Sequence, residues 1–233
     1  MIGTLYGMGV GPGDPELITV KALRLMEACP VISYPKKGKG DGSYAYQIIE
    51  GYVNVAEKEM LGFVFSMTSD PDVLHKDWME AVEGLYKKLA EGKDCVFVTE
   101  GDPFLYSTFI YLMRLMEEHH PEVPIKVIPG ISSINGAAAT LGIPLADGND
   151  RIGIIPAHDD YDLMRKAIEE HECVIFLKAA KVMNLLIRVL RDLDLLDKAS
   201  VVTKVTSDEE IVWNVEKLEN EKIGYLTLMV VRK

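Results

Sequence analysis

The sequence contains few cysteines, and their number is odd. None of the three, Cys29, Cys95 and Cys173, belongs to a C-x-x-C pair. Cys95 and Cys173 each open an apolar run, where a free thiol behaves as a small hydrophobic group. We therefore expect no disulfide framework and a protein of a reducing compartment.

Long apolar runs and an excess of positive charge are also missing. No apolar run reaches the roughly 18 residues that a membrane span needs, and the sequence does not open with a signal-peptide pattern. We therefore expect a cytoplasmic protein with no membrane partner. The formal net charge is −11 over 233 residues. Because proteins that grip phosphate backbones are usually basic, no nucleic-acid partner is expected.

Standard nucleotide-binding and catalytic patterns are absent too. The segment "GMGVGPGD" has glycines at 7, 9, 11 and 13, but the third glycine of a G-x-G-x-x-G fingerprint would fall on Pro12, Asp14 or Glu16. No Gly-Lys-Ser/Thr triplet occurs. The histidines form neither a nucleophile–base pair nor a metal-ligand spacing, so no metal is expected. The glycine loop is either a tight turn or a point of close backbone approach to a ligand.

What the sequence does contain is an alternation of strand and helix patterns, which indicates an α/β protein. Strand patterns at 4–10, 31–34 and 95–99 alternate with helix patterns, the first of which covers 14–28 with Asp14 as its N-cap. The segment "HHPEVP" interrupts the pattern at 119–124. We therefore predict an N-terminal α/β subdomain at 1–119 and a C-terminal one at 120–233, the latter with a mixed sheet.

Four loops rich in glycine or proline follow predicted strands. They are "GMGVGPGD" (7–14), "EGDPFLYS" (100–107), "IPGISS" (128–133) and "IPAH" (155–158). In open α/β sheets, ligands bind outside the carboxyl ends of the strands. Four such loops in one chain predict a cleft ringed by loops.

Taken together, these segments resemble the tetrapyrrole (corrin/porphyrin) methyltransferases, which use S-adenosylmethionine. The similarity also includes "IPLADGNDRIGIIPA" and "LKAAKV", and it extends over most of the chain in the family's order. Within the family, "GVGPGDPELIT" and "EGDPFLYS" are most similar to the branch that methylates C-20 of precorrin-2 or its cobalt form.

The resemblance implies two α/β subdomains with a trough-like active site between them, a class III methyltransferase-like fold, and a homodimer. It implies S-adenosylmethionine as the cofactor, held by the loop after the third strand and by later strand-end loops. The cofactor-binding residues carried over by the resemblance are Pro12, Glu100, Gly101, Asp102, Leu105, Tyr106, Ser107, Ser132, Ser133, Ala157, Leu177 and Thr227. Asp102 has an alternative role, because aspartate commonly orders a turn by accepting its backbone N–H groups.

The implied reaction is methyl transfer from a sulfonium to an electron-rich carbon of a reduced tetrapyrrole. Such a reaction needs positioning more than a strong protein nucleophile. Relatives that methylate uroporphyrinogen carry an aspartate where this sequence has Pro35, so the proton acceptor is open. Tyr34, Tyr106 and water are the candidates.

A substrate with eight carboxylates calls for cations near the strand-end loops. The candidate substrate-binding residues are Lys36, Lys37, Lys39, Arg151 and Lys178. Each is also explained by an ordinary solvated surface. Alternatives to the C-20 reaction are methylation at another corrin position, a diphthine synthase-like reaction, an RNA-modifying relative and a non-catalytic nucleotide-binding module.

Overall fold

The chain forms two compact units in a computed structural model that describes residues 1–38, 40–66, 68, 70–219 and 221–233. The first unit is Met1–Ser132 and the second is Ser133–Lys233. This division lies beyond the boundary at 119/120 that the linker-like segment suggested. The reason is that the strand Ile125–Ile128 pairs with the first strand of the chain, which keeps it in the first unit.

The first unit contains a five-stranded sheet whose strands are all parallel, in the order β3-β2-β4-β1-β5. Its strands are β1 (Leu5–Gly9), β2 (Val31–Lys36), β3 (Glu59–Val64), β4 (Cys95–Thr99) and β5 (Ile125–Ile128). Its helices are α1 (Val20–Ala28), α2 (Tyr44–Ile49), α3 (Pro71–Ala90) and α4 (Phe109–His119). The α/β class expected from the sequence is confirmed.

The start of the first helix differs from the expectation. Asp14 does accept a backbone hydrogen bond, from Glu16, but it caps only the short 3-10 turn Pro15–Leu17. Ile18 and Thr19 are extended, and Thr19 then caps α1 by accepting from the Ala22 N–H. Two consecutive capping signals therefore produce two short elements, because a residue in the extended region ends a helix.

Both faces of the first sheet are covered by helices. One buried cluster joins residues of β4, such as Phe97, to α3 and α4. The other cluster joins Met8 and Ile32 to α1 and α2. Because an all-parallel sheet buries both faces, its polar loops gather at the two edges where strands begin and end.

The second unit contains a mixed sheet, as expected, and its strand order is β6-β7-β10-β8-β9. Its strands are β6 (Ile152–Pro156), β7 (Cys173–Leu177), β8 (Ala199–Thr203), β9 (Ile211–Trp213) and β10 (Thr227–Arg232). Its helices are α5 (Ser133–Leu141), α6 (Tyr161–Glu170) and α7 (Met183–Asp192). The largest cluster of this unit packs α6 and α7 against Phe176 and Met229.

Strand directions in the second sheet place three strand ends together. β6 and β7 are parallel, and β10 is antiparallel to both β7 and β8. The carboxyl ends of β6, β7 and β8 therefore lie at one edge, where β10 begins. Among the described residues, no helix is both long enough and apolar enough to cross a membrane.

Candidate functional site

Three loops leave the carboxyl ends of β1, β4 and β5 (residues 10–13, 100–107 and 129–132). We call them together the N-terminal loop edge, because they lie at one end of the sheet in the N-terminal unit. The first two loops are joined by backbone hydrogen bonds. The Gly101 N–H donates to the Gly11 carbonyl at 2.7 Å, and the Val10 N–H donates to the Thr99 carbonyl at 3.0 Å. The glycine loop that matched no standard fingerprint is thus one side of a two-loop bridge.

Three glycines pack backbone against backbone at this edge. A Cβ on Gly9 would lie 2.4 Å from the Gly101 oxygen and 2.7 Å from the Gly130 nitrogen. A Cβ on Gly130 would lie 2.1 Å from the same Gly101 oxygen. Since real Cβ atoms do not approach so closely, none of these loops has room for a side chain at the crossing. Gly9 and Gly130 were not among the residues predicted from the sequence, although Gly9 ends β1 and Gly130 follows β5.

Asp102 links the β4 loop to the β5 loop. One carboxylate oxygen accepts from the Phe104 N–H at 2.9 Å, and the other accepts from the Gly130 N–H at 3.0 Å. The alternative role considered for this residue, ordering backbone, is therefore the one that the geometry displays. Asp102 holds the crossing of the loops in place.

The β4 loop presents two aromatic rings and two left-handed backbone conformations. Phe104 is 53% exposed and Tyr106 is 47% exposed. Gly101 has φ +65°, which a glycine adopts freely, but Tyr106 has φ +54°, which is uncommon for any other residue. Strain of this kind concentrates at ligand sites. The exposed rings offer a surface on which a flat ring can stack.

The remaining predicted residues of this edge have structural partners. The Ser107 hydroxyl lies 3.0 Å from Thr99 Oγ1 and accepts from the Phe109 N–H at the start of α4. The Leu105 N–H donates to the Asp102 carbonyl, and the buried Pro12 accepts from the Tyr44 hydroxyl at 3.3 Å. Glu100 is half-buried and Ser132 is buried.

Tyr34, one candidate proton acceptor, lies inside β2 and pairs with a second tyrosine. Its ring centroid is 5.0 Å from that of Tyr46. Burial, and then the neighbouring Tyr46, raise the pKa of the Tyr34 phenol above its usual value. The surroundings of this hydroxyl therefore disfavour its deprotonated form. Tyr46 was not predicted from the sequence.

Of the three basic residues predicted near the end of β2, the structure describes two, Lys36 and Lys37. Lys36 is the last residue of β2 and is half-buried, with its stem crossing Gly62 of β3. Lys37 follows and is exposed. Lys39 lies outside the described residues. Lys36 and Lys37 therefore stand at the same sheet edge as the N-terminal loop edge, since all these strands are parallel.

The second unit has its own cluster of predicted residues, which we call the C-terminal loop edge (residues 156–158, 177–178, 203–206 and 224–227). The Ala157 N–H donates to the Leu177 carbonyl at 2.8 Å, and Leu228, which follows Thr227, pairs with Leu177. Lys178 is exposed, with φ +58°. Ser133, by contrast, begins α5 and is half-buried.

Sequence reasoning missed the end of β8 at the C-terminal loop edge. Lys204 has φ +49°, and Thr206, a β-branched residue, has φ +67°. Four of the five non-glycine residues with positive φ in the described chain lie at the two loop edges, the fifth being Asp194. No local sequence signal marks these conformations, because lysine and threonine usually avoid them.

Arg151 does not join the residues of the C-terminal loop edge. It precedes β6 at the opposite end of the strand and donates to Glu172, with its backbone N–H at 2.8 Å and its Nη2 at 3.3 Å. The backbone hydrogen bond from Arg151, and then its side chain, lower the pKa of Glu172 from 4.5 to about 2. The structure thus explains Arg151 as the partner of the Glu172 carboxylate at the amino ends of β6 and β7, apart from the other candidates.

This pair predicts a pH dependence of stability. A carboxylate with a depressed folded-state pKa stabilises the fold above its unfolded pKa, and the contribution is lost as the pH falls through the folded value. We expect the stability difference between wild type and Glu172→Gln to be constant above about pH 5 and to fade between about 4.5 and 2. Urea unfolding at stepped pH measures it, and a difference that persists unchanged to pH 2 contradicts the pairing.

Metal ligation has no support in the arrangement of side chains. Within the described part of the chain, no group of three or more histidine, cysteine, aspartate or glutamate residues is placed to hold a metal ion. His158, at the C-terminal loop edge, is exposed. The functional geometry consists instead of crossed backbones, exposed aromatic rings and left-handed turns at strand ends.

These features define a class of α/β protein in which glycine loops cross one another at the carboxyl ends of parallel strands. The family model for Tetrapyrrole (Corrin/Porphyrin) Methylases matches residues 4–220. The chain belongs to this family, and the resemblance seen in the sequence is confirmed.

Three relatives illustrate the similarity. The chain is 35% identical to a probable cobalt-precorrin-2 C(20)-methyltransferase of Methanocaldococcus jannaschii, covering 100% of this chain and 97% of that protein. It is 27% identical to a precorrin-2 C(20)-methyltransferase of a Sinorhizobium species, over 99% of this chain and 95% of the relative. A uroporphyrin-III C-methyltransferase of Thermus thermophilus, solved with S-adenosylhomocysteine, superposes with a TM-score of 0.70 at 19% identity, over 99% and 92% of the two chains.

Proposed function

We propose that this protein transfers a methyl group from S-adenosylmethionine to C-20 of precorrin-2 or cobalt-precorrin-2 in cobalamin biosynthesis. The observation that carries the proposal is the full-length similarity to two relatives named for the C-20 position, one for each form of the substrate. The crossed glycine loops support it, because they lie where α/β folds bind ligands.

The residues of the N-terminal loop edge suit the chemistry of adenosylmethionine. When bound, this molecule supplies an electrophilic methyl group on a positively charged sulfur. Phe104 and Tyr106 expose aromatic faces, which attract a cation and stack on a flat heterocycle. The crossing of Gly9, Gly101 and Gly130 keeps side chains away from the backbone groups there. Asp102 fixes the distance between two of these loops.

Catalysis then rests on alignment. The substrate carbon donates its electron pair to the methyl carbon, the methyl–sulfur bond breaks towards sulfur, and adenosylhomocysteine leaves. Holding such partners in line is worth up to about 7–11 kcal/mol in favourable cases. Tyr34, Tyr106 and water remain the candidate acceptors of the proton that the methylated carbon loses.

The test is incubation with adenosylmethionine and each form of the substrate, with and without cobalt. We expect a mass gain of one methyl group and a new methyl carbon resonance at C-20. A methyl group at another corrin position would replace the C-20 assignment by another reaction of the same family. No transfer to either form would overturn the proposal.

Lys36 and Lys37 are proposed as partners of the substrate carboxylates. Reversing both to glutamate is expected to raise the KM for the tetrapyrrole about tenfold or more, while the Kd for adenosylmethionine stays unchanged, because only the substrate is polyanionic. The KM of wild type should also rise with salt. Initial rates at several ionic strengths measure both effects, and Lys166→Glu together with Lys222→Glu, both outside the loop edges, provides a charge-matched control.

We further propose a cytoplasmic homodimer. All three cysteines are free and buried, which suits a reducing compartment. The dimer rests on the family resemblance, and light scattering coupled to size exclusion tests it.

A further inference from the structure

A chain of buried hydroxyl groups lies at the C-terminal loop edge. The Trp213 indole N–H donates to Thr203 Oγ1 at 2.8 Å, and Thr203 Oγ1 lies 2.6 Å from Thr227 Oγ1. The Thr227 hydroxyl donates to the Gly224 carbonyl at 2.6 Å. Thr203 is 5% exposed and Thr227 is 2% exposed, so neither hydroxyl is a solvent-facing group.

The direction of the chain follows from counting protons. A carbonyl oxygen only accepts, so the Thr227 hydroxyl must donate its single proton to the Gly224 carbonyl. Thr203 must therefore donate to Thr227, and it accepts from the indole, which only donates. Each of the two hydroxyl groups therefore donates one hydrogen bond and accepts one, and all three hydrogen bonds run in one direction, from the indole to the Gly224 carbonyl.

These hydrogen bonds tie the start of the connection between β9 and β10 to a position near its end. Trp213 ends β9, and Gly224 lies three residues before β10 begins at Thr227. A Cβ on Gly224 would lie 3.3 Å from the Thr203 methyl group, so this backbone packs directly on Thr203. The Lys204 N–H also donates to the Leu226 carbonyl at 2.8 Å. Gly224, Tyr225 and Leu226 are thereby held at the loop edge.

Gly224–Leu226 has two features that are typical of a ligand-binding segment: an exposed aromatic ring and neighbours with strained backbone. Tyr225 is 37% exposed and stands two residues before Thr227, whose strand pairs with the one that ends in Leu177. The left-handed residues Lys178, Lys204 and Thr206 lie at the same edge, and backbone strain concentrates at binding sites.

We propose that Trp213, Thr203 and Thr227 are positioning residues that hold Gly224–Leu226 as a contact segment for adenosylmethionine. This inference rests on the proposed function. It also gives Thr227 a different role from the direct contact implied by the family resemblance. The Thr227 hydroxyl donates its proton to the Gly224 carbonyl, so the residue acts on the cofactor through the position of Gly224.

The test removes the central hydroxyl. Thr203→Val keeps the shape but leaves the indole N–H without its acceptor and Thr227 without its donor, whereas Thr203→Ser keeps both links. We expect Thr203→Val to raise the Kd for adenosylmethionine about tenfold, and Thr203→Ser to stay within about twofold of wild type. Calorimetry gives the Kd. The indole N–H resonance of Trp213, one of two tryptophans, should move upfield in the valine variant only.

A matched control separates positioning from general stability. Ser33→Ala deletes another buried hydroxyl, which donates to the Val96 carbonyl at 2.8 Å in the middle of the first sheet. It should lower the melting temperature with no change in Kd. Where Thr203→Val does not fold, Trp213→Phe removes only the first link and should raise Kd about threefold.

The outcomes are distinct. A folded Thr203→Val variant with a shifted indole resonance and an unchanged Kd overturns the inference, as does an unchanged Kd in Trp213→Phe when that variant is used. Wild-type protein that binds no adenosylmethionine overturns the proposed function itself, and the inference with it.

Discussion

Gly130→Ala is expected to abolish measurable binding of adenosylmethionine. The added Cβ would lie 2.1 Å from the Gly101 carbonyl oxygen in the β4 loop and 2.8 Å from the Gly9 backbone at the end of β1, closer than a Cβ atom can approach. The β5 loop must then move away from the β4 loop, and overpacking of this kind costs about 1–3 kcal/mol. We expect Kd to rise at least about 100-fold, because the displaced loop also loses its bond to Asp102.

Gly51→Ala is the matched control, since a Cβ at that position meets nothing within 4 Å. Titration calorimetry on both variants, with circular dichroism to check the fold, decides the matter. A folded Gly130→Ala protein with wild-type affinity would show that the crossing of the three glycines does not shape the cofactor site.

Asp102→Ala is expected to lower kcat/KM about 100-fold. The change leaves the Phe104 and Gly130 N–H groups without the carboxylate that now joins their loops. Hydrogen bonds to a charged group are worth about 1.5–3 kcal/mol each, and here two are lost at once. Asp102→Asn should lie between alanine and wild type, because its amide offers one accepting oxygen and presents a donor to the other N–H.

Asp70 offers a control with the same chemistry in the same unit. Its carboxylate accepts from the Asp72 and Val73 N–H groups at the start of α3, outside the three loops of the N-terminal loop edge. Asp70→Ala should lower stability by about 0.5–2 kcal/mol without altering the Kd for adenosylmethionine. If Asp102→Ala behaved in the same way, the carboxylate would matter to the fold alone.

The order of the elements was readable from the sequence for a physical reason. Strand patterns such as "CVFVT" are fully buried runs, and a capping residue such as Asp14 marks the start of a helical turn within a few positions. The boundary between the two units was harder to predict from the sequence. "HHPEVP" has the composition of a linker, but the pairing of Ile125–Ile128 with β1 is a contact between distant segments.

For the candidate site, the sequence by itself indicated which loops follow buried strands, and it determined which family their residues resemble. Local chemistry is enough for this, because glycine, proline and aspartate after a buried strand specify a turn at the carboxyl end of that strand. The segment "EGDPFLYS" was therefore found without coordinates. The class of cofactor followed from the resemblance and the family match.

Only the tertiary structure decided what each side chain does there. It showed Asp102 bonded to Gly130 across two loops, Arg151 at the opposite end of β6 from Ala157, and Thr227 linked to Thr203. Each of these relations joins residues more than 20 positions apart or depends on strand direction in the sheet. A hydrogen bond or a sheet edge is a property of positions in space, and the periodicity and turn signals of a sequence report only on neighbours along the chain.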